Sequence, residues 1–300
     1  MNTEDKVKHI TRRVTRWINS WIPSETSREF FYAEPILGLT EYLESGHSPQ
    51  DLAKHCEDLA IWHLIKYEQS ALNSTTDTES LSLSAASFGY MLKFESSPKI
   101  GGSNSPISLG SAALSLSMAA LAGWKDEFEA RFHIILKGLN SHLLDLTNTK
   151  AHQAGTLTRH FWFILHLYAT TKNLEIDTTP YSYPDSLHPY DRALENWDTT
   201  DDKLLERIIA QMANFHIINA STPKHDEIFE FDYEYTMLLP YEILAFLRIR
   251  EWNGLPSPPT FDHPLMRLPL SRLPVTPAPH IHSIAEKILQ KFKLPQVPGV

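Results

Sequence analysis

The chain has 300 residues, of which 42% are hydrophobic and 21% charged, and a formal net charge of −9. That balance excludes an intrinsically disordered chain. The acid excess argues against duplex DNA or an anionic membrane as the main partner and admits a basic protein surface.

Apolar residues recur at helical spacing along most of the chain. Residues 5–20 place Val7, Ile10, Val14, Trp17 and Ile18 on one face, and Pro23 ends that helix. A second helix is predicted over 28–44, interrupted near Pro35, with Gly46 beyond its end. Ser48 and Pro49 read as the N-cap and first residue of a helix reaching about Leu72. Its inward face holds Leu52, Cys56, Ala60, Ile61, Leu64 and Ile65. Cys56 is the one cysteine, so no disulfide forms within the chain, as in a reducing compartment. Its place in the apolar pattern reads as a small buried residue rather than a reactive thiol.

Residues 73–80, NSTTDTES, read as a polar loop before a helix over 81–94. The run SSPKIGGSNSP, 96–106, is a clear break. The stretch 107–123 is the most apolar of the chain, yet it is shorter than the roughly 20 residues a membrane span needs, and it reads as a core helix. Helices follow over 107–122, 124–146 and 154–172. The break at 177–189, DTTPYSYPDSLHP, predicts a boundary between an N-terminal part, 1–176, and a C-terminal part, 177–300, packed as one globular unit. Further helices are predicted over 191–196, 201–219 and 238–252, the last closed by Gly254 and Pro256. A Pro-rich irregular stretch then leads to an amphipathic helix over 280–293. The expected fold class is all-α, an antiparallel helical array or bundle with a Pro-rich irregular C-terminal segment. The first residues lack the apolar core of a signal peptide, so a cytoplasmic location is expected.

Chemistry-bearing patterns are sparse. There is no HExxH, GxSxG, glycine-rich phosphate loop or Cys/His cluster of zinc spacing. His160 and His166 flank an aromatic helix segment, His216 sits inside an apolar helix, and His280 and His282 form a lone His-x-His. Each reads as a surface or hydrogen-bonded structural histidine. Asp202 and Glu206 share a helix face at i, i+4, which suits magnesium held against a diphosphate in an all-α enzyme of terpenoid-synthase type. A second metal-binding motif is absent, and acids at a helix start are favoured by the macrodipole in any case. No catalytic residue, cofactor or metal is therefore expected, and the chain is not expected to be an enzyme.

Charge is concentrated. Between Tyr181 and Tyr235, twelve acids against four bases leave −8, interleaved with aromatic residues. A solvated face with a few core aromatics would look similar. The alternative is a surface for a basic protein, carried by Asp185, Asp198, Asp201, Asp202, Glu206, Glu227, Glu230, Asp232, Tyr233, Glu234 and Tyr235.

The run PYDRALENWDTTDDKLLERIIAQMANFH from Pro189, then FEFDYEY, LLPYEILAFLRIREWNGL and DHPLMRLPLSRLP, resembles the helical immunity proteins of bacterial polymorphic toxin systems. It is most similar to the immunity protein 49 family. The resemblance covers roughly residues 189–275 and is carried by Trp197 with Asp201, Phe215-His216, Pro240 to Leu244, Arg248 to Leu255 and Asp262 to Met266. It implies a partner rather than a substrate: a cognate toxin, for which a nuclease effector with a basic active-site surface is the candidate. Other partners to weigh are the diphosphate of a magnesium enzyme and the clients of a helical-repeat scaffold. Neither nucleic acid nor membrane is expected as a partner.

Overall fold

A computed structural model describes residues 2–45, 52–75, 77–97, 100, 106–139, 141, 143–144, 158–181, 183–221, 229–275, 277, 279–280 and 282–292. The fold is all-α, with no strand among the described residues. No helix among them is long and apolar enough to cross a membrane. In chain order the helices are α1 (Thr3–Trp21), α2 (Glu25–Arg28), α3 (Glu34–Ser45), α4 (Leu52–Leu72), α5 (Thr78–Glu95), α6 (Leu109–Leu121) and α7 (Lys125–Gly138). They continue with α8 (Arg159–Thr171), α9 (Asp191–Glu195), α10 (Asp202–Asn219), α11 (Tyr241–Trp252) and α12 (Ser283–Lys291).

Two compact units form, and they do not follow a linear division at 176/177. One takes the described residues within 1–17 and 146–273, the other those within 18–145 and 274–300. The chain passes from the first to the second inside α1.

Several helix ends depart from the periodicity. α5 starts at Thr78 because Asp77, in the expected polar loop, caps it by accepting from Ser80 N at 2.9 Å. Such a cap contributes about 1 kcal/mol, enough to extend a helix by a turn. α7 stops at Gly138, well short of the expected 146. α3 is preceded by a π-helical turn, Glu29–Ala33, closed by Glu34 N–H onto Glu29 O. Pro35 has no N–H to donate, and its ring would press on the carbonyl of an ordinary preceding turn. The widened turn absorbs both, so the expected interruption is a π turn rather than a break. The caps proposed at Ser48 and Pro49 lie outside the described residues. Gly254, with φ +74°, closes α11 as expected.

The second unit is centred on α5 and α6, whose side chains are buried on almost every face. Small residues let the helices approach closely. The serines that this brings inside bond to neighbouring backbone, Ser84 Oγ to Ala60 O at 2.8 Å and Ser115 Oγ to Phe88 O at 3.1 Å. Arg131 of α7 is fully buried, donating to Ser115 O at 2.7 Å and Ala85 O at 2.8 Å, so one side chain ties α5, α6 and α7 together. Gly89 makes room for it: a Cβ there would stand 2.6 Å from Arg131 Nη2. Cys56 is buried, and burial pushes its thiol pKa up, as an inert core cysteine requires.

The first unit is built around α8 and α11. Phe161, Trp162, Phe163, Ile164 and Leu165 of α8 and Ile243, Leu244, Ala245 and Phe246 of α11 have no exposure. Each large apolar side chain so buried contributes about 1.5–3 kcal/mol. Val7, Ile10 and Val14 of α1 are buried, and α1 is tied to α10 by Thr3 Oγ1 on Asn214 Oδ1 and Lys6 Nζ on Ile218 O, both at 3.3 Å. The Pro-rich stretch is irregular but not merely a covering, since Phe261, Leu265, Met266 and Leu270 are buried.

Candidate protein-interaction surface

Two histidines inside apolar helices organise the first unit. His216 of α10 and Glu242 of α11 have no side-chain exposure and meet at 3.0 Å between Nδ1 and Oε1. His216 Nε2 lies 3.1 Å from Thr236 O. A carbonyl only accepts, so Nε2 carries the proton, and the contact with Glu242 is shared by whichever partner holds the second one. His160, the second residue of α8, pairs through Nδ1 with Glu230 Oε2 at 2.8 Å, and the same oxygen accepts from His160 N at 3.3 Å. Arg159 Nε approaches Glu230 Oε1 at 3.2 Å. Phe231 fills the space between, stacked on His216 at 3.9 Å and 5.3 Å from the His160 ring.

These contacts hold the segment 229–236 at both ends, Glu230 on α8 and Thr236 on α10. The middle of the segment is turned outward. Tyr233 is 62% exposed and stacks on Tyr235 at 5.4 Å. Glu234 meets Arg13 of α1 at 2.7 Å. Asp232 is half-buried, and that burial, with the nearby Glu234 charge, raises its carboxyl pKa against an opposing backbone hydrogen bond.

The other acids lie at the opposite end of α10. Asp201 caps the helix, its Oδ1 accepting from Lys203 N at 2.8 Å and Leu204 N at 3.2 Å. Beneath the turn, fully buried Arg250 donates to Trp197 O, to Thr199 O at 2.8 Å and to Pro256 O at 3.2 Å. The charges of Asp198 and Asp202 act on that guanidinium and oppose the burial that lowers its pKa. Asp198, Asp201, Asp202 and Glu206 are exposed, and Glu206 Oε1 accepts from Asp262 N at 3.4 Å. Asp185 is exposed in the irregular segment before α9, and a separate open groove of ≈ 480 Å³ is walled by His188, Asp191, Arg192 and Glu195.

The acidic window is thus two patches rather than one. The 18 residues of α10 span about 27 Å between them. One correction concerns Glu230. It was expected on the surface and has no side-chain exposure, because it pairs inward with the buried His160 and the half-buried Arg159. Glu227 lies outside the described residues. Arg13, Arg159, His160 and Arg250 shape the surface and were not singled out for it. Histidines within apolar helices were the signal, since a buried imidazole demands a polar partner. Among the described residues no three His, Cys, Asp or Glu side chains converge on a metal-sized site. No family model, no curated protein and no solved structure matches the chain.

Proposed function

We propose that this chain is an immunity protein that binds and neutralises a cognate bacterial toxin, acting by stoichiometric association rather than catalysis. The toxin is best matched by a nuclease effector of a contact-dependent secretion system, whose active-site surface is basic. Support comes first from the outward Tyr233, stacked on the half-buried Tyr235 and set among carboxylates on a segment fixed from beneath by buried contacts. Aromatic side chains held in place before binding lose little entropy on docking, and they dominate interface energetics. Asp198, Asp202 and Glu206 add a second acidic patch that would draw a basic cleft toward the unit. The two patches stand toward opposite ends of α10, a helix about 27 Å long.

The test is coexpression with the toxin encoded by the neighbouring gene. Wild-type protein is expected to restore growth and to titrate the toxin one to one in calorimetry. Tyr233→Ala is expected to weaken binding by about 2 kcal/mol or more, the scale of an interfacial hot spot. A chain that neither protects the cells nor binds that toxin would sink the proposal.

A further inference from the structure

We infer that the solvent face of α3 and the π turn before it is a second docking surface, in the other unit, for a cationic amphipathic helix of a partner protein. Within α3, Glu34, Leu37, Glu41 and Glu44 recur at spacings of three and four, so they fall on one helical face, and Phe30 of the π turn lines the same groove as Glu34. All five are exposed, Phe30 to 56% and Leu37 to 57%. The face carries apolar residues seven apart, at 30 and 37, and acids seven apart, at 34 and 41. An exposed apolar pair bordered by acids is a face that a cationic amphipathic helix can cover. Beside it a groove of ≈ 380 Å³ opens between Phe30, Phe31, Glu34 and Pro35 on one side and Lys54 and Asp58 on the other.

The stripe is held rather than frayed. On the far side of α3, Pro35, Gly38, Leu39 and Tyr42 are buried. A Cβ on Gly38 would lie 2.3 Å from His55 Nε2, so α3 sits flush on α4. Tyr42 rests against Phe292 at 5.6 Å, and Lys291 Nζ donates to Leu43 O at 2.8 Å. Within the π turn, Phe31 packs edge-on to Trp21 at 5.1 Å. Phe31 thus packs inward while Phe30, its neighbour in the π turn, stays exposed at the groove beside Glu34.

Charge selects the occupant. Residues 25–45 hold five acids, Glu25, Glu29, Glu34, Glu41 and Glu44, against one base, Arg28. All five glutamates are exposed, and none is in an ion pair among the described residues. A second copy pairing through the same stripe would set carboxylates against carboxylates, which disfavours it. An anionic membrane is disfavoured for the same reason. A helix with apolar residues every seven and Lys or Arg beside them satisfies both halves of the pattern.

The probe is a fluorescent peptide of about three heptads, with Leu at the seam and Lys and Arg flanking it, titrated against the full chain by anisotropy. It is expected to bind at least about ten-fold tighter than a scramble of identical composition, and a Glu-flanked version is expected not to bind. Phe30→Asp, Leu37→Asp, and Glu34→Lys with Glu41→Lys are each expected to lower affinity by about ten-fold or more. These positions are exposed, so unchanged circular dichroism and melting temperature serve as the control for folding. Tyr233→Ala is expected to leave this affinity unchanged, which separates the surface from the toxin-binding one proposed above. Equal affinity for the scramble, retained affinity in the variants, or no peptide binding would overturn the inference. So would a dimer in sedimentation equilibrium that Leu37→Asp dissociates, since the face would then belong to a second copy.

Discussion

Glu68 lies in α4 with 1% exposure and neither carboxylate oxygen hydrogen-bonded among the described residues. Burial raises its pKa well above the ordinary 4.5. The sign follows from linkage: the folded state holds a proton that the unfolded chain releases above about 4.5, so this group costs stability as pH rises from there to its folded-state value. Glu68→Met replaces it with an apolar side chain of similar shape. The variant is expected to be more stable by about 1–3 kcal/mol at pH 8, with the gain shrinking toward pH 4. Urea unfolding at both pH values measures this, and a variant less stable than wild type at pH 8 would mean the carboxyl has a partner. His263 pulls the other way: burial holds its imidazole at about 4, so its neutral form is required and its contribution fades as pH falls below 6.5. Helical spacing, which puts Glu68 four residues after Leu64 of the inward face, was not enough to single it out. It does not tell whether a partner awaits it there, because partners of buried groups come from distant parts of the chain.

At the scale of elements, the segment 229–236 depends on contacts that span long separations. Glu230 meets His160 across 70 residues and Glu242 meets His216 across 26. The aromatic-acid alternation of FEFDYEY identifies a special segment, and local spacing cannot say which of its acids turn inward. Glu230 does so because the buried His160 and the half-buried Arg159 both reach it. Pro35 likewise marks the position of an irregularity but not its kind. A break and a π turn differ only in whether the following residues find partners, as Pro35, Gly38, Leu39 and Tyr42 do in the core. The closing Gly254 was legible, whereas the caps at Asp201 and Asp77 were not singled out, each standing in a uniformly polar stretch. The pinning predicts a contrast. His216→Ala leaves Glu242 buried without its partner and removes the stack on Phe231, and it is expected to cost about 3–5 kcal/mol. Glu234→Gln breaks only the half-exposed pair with Arg13 and is expected to cost at most about 1 kcal/mol. Hydrogen exchange in 229–236 should accelerate in the first variant alone. Equal costs for the two would remove the case for a segment held from beneath.

At the scale of the whole molecule, the class of fold follows from helical periodicity, and the charge asymmetry follows from counting. The division of the acids into two patches does not, because residues adjacent in the window stand at opposite ends of α10 once it forms. That separation governs how a basic toxin would be captured. At 0.15 M salt the Debye length is about 8 Å, short against the roughly 27 Å between patches, so each attracts independently. At 0.01 M it is about 30 Å and the two fields merge. Asp202→Lys with Glu206→Lys removes charge at one end without touching the Tyr233–Tyr235 stack at the other. It is expected to lower the association rate by about ten-fold at low salt and much less at physiological salt, with the dissociation rate nearly unchanged. Tyr233→Ala is expected to do the reverse, raising the dissociation rate about 30-fold or more while sparing association and its salt dependence. Stopped-flow association with the purified toxin at several salt concentrations, with displacement for dissociation, separates the two variants. If both act on the dissociation rate alone, steering plays no part, and Asp202 and Glu206 are direct contacts. If neither changes either rate, the toxin does not dock on this unit.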